Sequence, residues 1–353
     1  MLVYWLMFAF PALLTIVTGP RSGERNDLNK VALGIVFISF ALLIGLRFEV
    51  GADWFNYEYI VNAVALEDAR TAMSFGDPGF NLIAWVATRI GADVYGPNLV
   101  CGIVLVTGLI HFCRRQENIW LAISAAVPYL VIVVGMGYVR QAAAIGFILI
   151  ALTRFERGAF GRCLGWIAMA ALFHASAILV APLIGLAIVR KQILLIIPVG
   201  IVSVIMFIVL LQSRVDAAYA NYVEAEYDSS GALVRLLMNG VPALLYVLFR
   251  KNFPGSPWVK TLWTLFAAMS LALIAAVAVS PSTTLVDRIG LYLIPIQIYV
   301  FGNLALAMRL DGRSGAAVSS LALGYYAAIL FVWLNFANHA ALWIPYRFYP
   351  FEA

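Results

Sequence analysis

Residues 31–46, 193–211 and 262–279 each run without one charged side chain. At about 1.5 Å per helical residue, runs of this length cross much or nearly all of a hydrocarbon layer about 30 Å thick, where an unclosed segment satisfies its own backbone only as a helix. The rest of the chain agrees. Only 12% of its 353 residues are charged, against roughly a quarter in soluble domains, and the mean hydropathy is +0.94. The expected fold is all-α: one polytopic integral membrane domain, residues 1–353, with about 10–13 membrane helices, short or broken ones included. Cys101, Cys113 and Cys163 lie in or beside apolar segments without metal-like spacing, so neither a disulfide framework nor a zinc site is indicated. The formal charge of +5 reads as membrane topology, and no nucleic-acid partner is expected.

Most of the 23 Lys and Arg residues fall in short connections: Arg21, Arg25 and Lys30; Arg114 and Arg115; Arg154, Arg157 and Arg162; Arg190 and Lys191; Arg250, Lys251 and Lys260; Arg309 and Arg313. The positive-inside preference assigns these to the cytoplasm. The alternate connections, 48–77 and 212–231, are acidic and face outward. Spans are then expected at 2–18, 31–46, 99–113, 120–134, 137–153, 193–211, 233–249, 262–279, 289–308 and 316–335, leaving both termini outside. Residues 1–18 lack a basic leader and read as a retained helix. Residues 78–113 must cross an odd number of times, so 78–90 is a partial or tilted helix before the span at 99–113. Residues 164–189 must cross an even number of times but are too short for two full spans. Two short helices meeting near His174, Ala175 and Ser176, with the break buried in protein, satisfy both conditions.

On this topology Arg47, Arg140, Arg288 and Arg347 stand at the outer ends of spans, against the preference. An arginine near hydrocarbon is costly unless it faces a polar cavity or a partner. Snorkelling or pairing, such as Arg288 beside Asp287, explains one of them equally well; four together favour an anionic ligand, because planar guanidinium donors grip phosphate oxygens in pairs. Asp53, Asn56 and Tyr57 supply groups of the kind that hold sugar hydroxyls. Asp77, before Pro78-Gly79-Phe80, is either a helix N-cap or a site carboxylate. Gly135-Met136-Gly137-Tyr138-Val139-Arg140-Gln141 reads as a loosened helix start whose N–H groups and arginine meet an anion together. His174 is either a satisfied core histidine or a proton acceptor. His111 reads as structural and His339 as either. The sequence has no nucleotide-binding glycine loop and no acidic metal motif.

The order Arg47, Asp53, Tyr57; Asp77-Pro78-Gly79-Phe80; Arg140-Gln141; Phe173-His174-Ala175-Ser176; Asp287-Arg288 with Tyr292; and Trp343-Ile344-Pro345-Tyr346 resembles the EpsG family of exopolysaccharide polymerases, related in role to Wzy-type polymerases. The resemblance runs from the second span to the C-terminus and rests on the order of these motifs rather than on any one of them. It implies a multi-pass bacterial inner-membrane protein that joins undecaprenyl-diphosphate-linked oligosaccharide repeats on the periplasmic or external face. Arg47, Arg140 and Arg288 would hold the diphosphate, and His174 or Asp53 would act as base. Tyr57, Asp77, Gln141, Tyr292 and Arg347 would contact the substrate. No cofactor or metal is expected; the expected partners are the lipid-linked saccharide and membrane lipid, with a flippase and chain-length or export proteins as candidates. Two rival classes stay open, a flippase or other transporter and a membrane ligase or acyltransferase. Polar groups gathered on one face argue against the transporter.

Overall fold

The computed structural model describes residues 1–19, 27–189, 231–278, 280, 283–310 and 312–352. The helices are α1 (Leu2–Thr18), α2 (Asp27–Gly45), α3 (Trp54–Ala65), α4 (Ala69–Ser74), α5 (Pro78–Arg89), α6 (Tyr95–Cys113), α7 (Ile119–Gly137), α8 (Val139–Glu156), α9 (Phe160–Phe173), α10 (Val180–Val189), α11 (Ala232–Phe249), α12 (Pro257–Val277), α13 (Thr283–Gly290), α14 (Pro295–Ala307) and α15 (Gly312–Phe336). Among the described residues α6, α7, α11, α12 and α15 are long and apolar enough to cross a membrane, and four further apolar helices are shorter. The fold is thus the polytopic all-α bundle expected. The span at 193–211, residues 212–230 of the acidic loop, and Arg21, Arg25, Arg190 and Lys191 lie outside the described residues.

Helix α7 forms the axis of the bundle. It is buried along its whole length, which fits a sequence without charge on any face. Helices α1, α6, α14 and α15 pack against it. Its second half winds as a π-helix over Val127–Val134, a widened turn that often marks functional segments. Beside it α6 and α8 meet at Gly108 and Gly146, where a Cβ on Gly108 would stand 2.1 Å from the Gly146 carbonyl oxygen. Only small residues allow backbones that close.

Among the described residues, the basic connections collect at one end of the bundle. Arg115 pairs with Glu156 at 3.1 Å, Asn252 Nδ2 donates to the Ala307 carbonyl, and the Asn118 N–H donates to the Gly302 carbonyl. At the opposite end α3, α4 and α5 fold over the helices, and residues 337–352 cross them as a strap. The Tyr4 hydroxyl donates to the Trp343 carbonyl, the Trp343 indole to the Ile132 carbonyl, and the Tyr346 hydroxyl to the Leu43 carbonyl.

Both irregular stretches take the expected helical form, although the break at His174, Ala175 and Ser176 is half-buried rather than buried. The partial helix before the span is α5, followed by a left-handed turn at Gly91 (φ 71°) and then α6. Helix α9 stops at Phe173; His174 is extended (φ −156°, ψ 112°), and a 3-10 turn, Ala175–Leu179, leads into α10. The expected continuous span at 289–308 is instead broken, with α13 and its following turn meeting α14 at 44°. Pro295 opens α14, and a proline has no N–H to carry a helix through that point.

Candidate active site

Pro78 starts α5 and Asp77 occupies its N-cap position, yet the Asp77 side chain makes no capping bond. The carboxylate has no exposed surface. Its Oδ2 accepts from Arg140 Nη1 at 2.9 Å and lies 3.3 Å from His174 Nδ1, while Oδ1 accepts from the Ala175 N–H at 3.4 Å. Asp77 therefore ties α5, α8 and the break after α9 together. Of the two readings open from sequence, cap or site carboxylate, the side chain does not make the bond that the first requires. A buried carboxylate is tolerated only when paired and hydrogen-bonded, and this one is both.

Arg140 is the second residue of α8, just past the non-helical Tyr138 (φ −131°, ψ 59°). Its guanidinium carbon lies 5.7 Å from the Tyr57 ring centroid and 5.8 Å from that of Phe80, so aromatic faces as well as Asp77 hold the cation. Asp53, at the start of α3, faces the same space. Burial pushes its carboxyl above the ordinary carboxylate range, and Arg288, Arg140, a hydrogen bond from Tyr57 and His174 pull it back.

Arg288 comes from the last turn of α13 and lies over the Tyr138 ring at 4.4 Å. Its carbonyl accepts from Gln141 Nε2 at 3.1 Å. Just beyond, the Tyr292 hydroxyl and Ser176 Oγ share a hydrogen bond of 2.9 Å. The broken helix that carries Arg288 and Tyr292 is held by a buried amide chain. Asn239 Nδ2 donates to the Gly290 carbonyl, Gln297 Nε2 to Asn239 Oδ1, and the Tyr326 hydroxyl to Gln297 Oε1. Asp287 is engaged by Arg235 Nε of α11 at 2.8 Å.

The structure thus brings Asp53, Tyr57, Asp77, Arg140, Gln141, His174, Arg288 and Tyr292 to one place, from segments far apart in the chain. Two expected members stand elsewhere. Arg47 has no exposed surface; it donates from Nε to the Val50 carbonyl at 2.8 Å and from Nη1 to the Ile44 carbonyl, beneath the Trp54 ring. Its guanidinium closes the turn out of α2, while Nη2 makes no hydrogen bond among the described residues. Arg347 pairs with Glu49 over the Phe48 ring, where the Phe48 N–H donates to the Arg347 carbonyl and the Tyr349 N–H to the Leu46 carbonyl. It belongs to the strap. Sequence reading passed over three residues: Tyr138 under Arg288, Ser176 against Tyr292, and Arg235 on Asp287. The first two lie inside the motifs already singled out. Arg235 has no local signal, because only the packing of α11 on α13 brings it to Asp287.

Among curated proteins and among solved structures, nothing matches the chain. A sequence profile of the EpsG family matches residues 30–348, a stretch that holds every residue of the cluster around Asp77. The chain therefore belongs to the EpsG family, with the exopolysaccharide-polymerase-like function that this membership implies.

Proposed function

We propose that the protein joins lipid-linked oligosaccharide repeats on the extracytoplasmic face, using a donor activated as undecaprenyl diphosphate. The observation that carries this reading is the Asp77 carboxylate shared by Arg140 and His174, which sets a cation and a proton acceptor side by side. In this reading His174 Nδ1 donates to Asp77, leaving Nε2 to take the proton of an acceptor hydroxyl. The hydroxyl oxygen attacks the anomeric carbon, the bond from that carbon to the diphosphate oxygen breaks, and the configuration inverts. Arg140 and Arg288 answer the charge that grows on the departing diphosphate. Tyr57, Gln141 and Tyr292 line the same space and supply hydrogen bonds to the sugars. Asp53 is the second candidate base. The extracytoplasmic assignment rests on the basic connections at the far end of the bundle.

The test is reconstitution of the full chain in vesicles with a purified lipid-linked repeat and no nucleotide sugar. A ladder of products is expected. Transbilayer movement of the repeat without a ladder would make the protein a transporter, and transfer only to a different acceptor would make it a ligase.

A further inference from the structure

A cavity of about 420 Å³ lies between α11 and α15, floored by Tyr129 and Val133 of the π-wound stretch. It is lined by Gly231 just before α11, by α11 at positions 234, 235 and 238, and by α15 at 325, 328, 329, 332, 333 and 336, each helix contributing the repeat of a single face. The walls are hydrocarbon and open sideways: Val234 is 59% exposed, Val332 50% and Phe336 69%. Along α15 the lining runs from Tyr325 to Phe336, about 16 Å at 1.5 Å per residue, or roughly half of a hydrocarbon layer about 30 Å thick. The groove is therefore about as long as one leaflet is thick.

Its guanidinium, amide and imidazole groups stand at the site end. Asn338 and His339 close it there, and Arg235, one turn into α11, binds Asp287. The next residue, Arg288, belongs to the cluster around Asp77. An anion held at Arg288 would thus lie one residue from Asp287, whose partner Arg235 stands on the wall of the apolar groove. A prenyl chain is bonded to the diphosphate it carries, so it must leave the site towards hydrocarbon, and the wall of this groove reaches Arg235, whose partner Asp287 immediately precedes Arg288.

We propose that this groove seats the polyprenyl chain of the lipid-linked substrate. The inference rests on the reading of the site as one for a lipid-linked donor, and adds where the chain of that donor lies. The full-length protein in vesicles is photolabelled with a sugar-free polyprenyl diphosphate that carries a diazirine a few isoprene units from the diphosphate. Label is expected on α15 between Tyr325 and Phe336 and on the facing side of α11. Excess unlabelled polyprenyl diphosphate should remove it, and the same excess of phosphatidylglycerol should not. Label elsewhere, or equal competition by the phospholipid, overturns the proposal. Ala328→Trp, which fills the groove, is expected to weaken labelling at least about tenfold in folded protein; undiminished labelling overturns it too. Should that variant fold poorly, the map on the parental protein decides alone. Because labelling needs no turnover, ladders with label elsewhere sink only the groove, and a labelled groove without ladders sinks only the polymerase reading.

Discussion

A carboxylate without exposed surface needs its charge answered on the spot, and Asp77 is answered by both Arg140 and the His174 ring. If the ring donates from Nδ1, its other nitrogen is the acceptor. His174→Gln then keeps a hydrogen-bonding group and loses the base. Turnover in vesicles is expected to fall about 10²- to 10⁴-fold with donor binding and melting temperature near parental; parental turnover would pass the role to Asp53. Asp53 has its own signature. Its carboxyl is held above the ordinary range, first by burial, and a base must be ionised, so an Asp53-dependent activity would be lost as pH falls through that raised value. With His174 as base, folded Asp53→Asn is expected to keep turnover within about tenfold of parental, and a loss of about 10²-fold or more would assign the base to Asp53. Arg47 behaves differently. Removing its bonds to the Ile44 and Val50 carbonyls costs about 1–3 kcal/mol, so Arg47→Met is expected to lower the melting temperature and leave the KM for donor unchanged in the folded fraction. Charges at the ends of apolar runs are costly enough to stand out in a sequence, which is why most of the cluster was legible there. Arg47 carried the same signal for another reason: a helix C-terminus leaves carbonyls unpaired, and spacing does not separate a cation that caps them from one that faces a ligand.

At the scale of elements, spans were legible from missing charge, and so were the two short helices at His174, because a counted topology left no other solution. The π-winding of α7 and the break at Pro295 were not, since both depend on which neighbours donate to the displaced carbonyls; the Ile132 carbonyl, for one, accepts from the Trp343 indole. The turn between α2 and α3 shows how local backbone sets the site. Gly51 has φ 104°, its N–H donates to the Leu342 carbonyl at 2.8 Å, and a Cβ there would meet the Met136 carbonyl oxygen at 2.1 Å. One residue thus joins the start of α3, the strap and the loosened end of α7. Gly51→Ala combines a left-handed backbone with a clash against backbone, and a loss of at least about 1–3 kcal/mol is expected. Thermal unfolding in detergent measures it, and an unchanged midpoint would mean that the three segments are not coupled through this turn.

For the whole molecule, the decisive quantity is which aqueous phase each end of the bundle meets. The Arg115–Glu156 pair and the bond from Asn252 to Ala307 draw connections of very different sequence position into one basic end, while Asp77, Arg140, His174 and Arg288 lie at the other. The positive-inside preference acts on the sum of such connections, so the two ends are assigned together or not at all. Asn56 on α3 and Ser314 at the start of α15 are both exposed, and Cys101, Cys113 and Cys163 are buried, which leaves little background for a thiol reagent. In intact cells a membrane-impermeant maleimide is expected to label Asn56→Cys directly and Ser314→Cys only after permeabilisation. Labelling of both from one side would break the argument that joins the arginines to an external ligand. The reverse pattern would turn the bundle over, put the Asp77 cluster in the cytoplasm, and set the groove between α11 and α15 in the inner leaflet, where a donor flipped outward for polymerisation would no longer reach it.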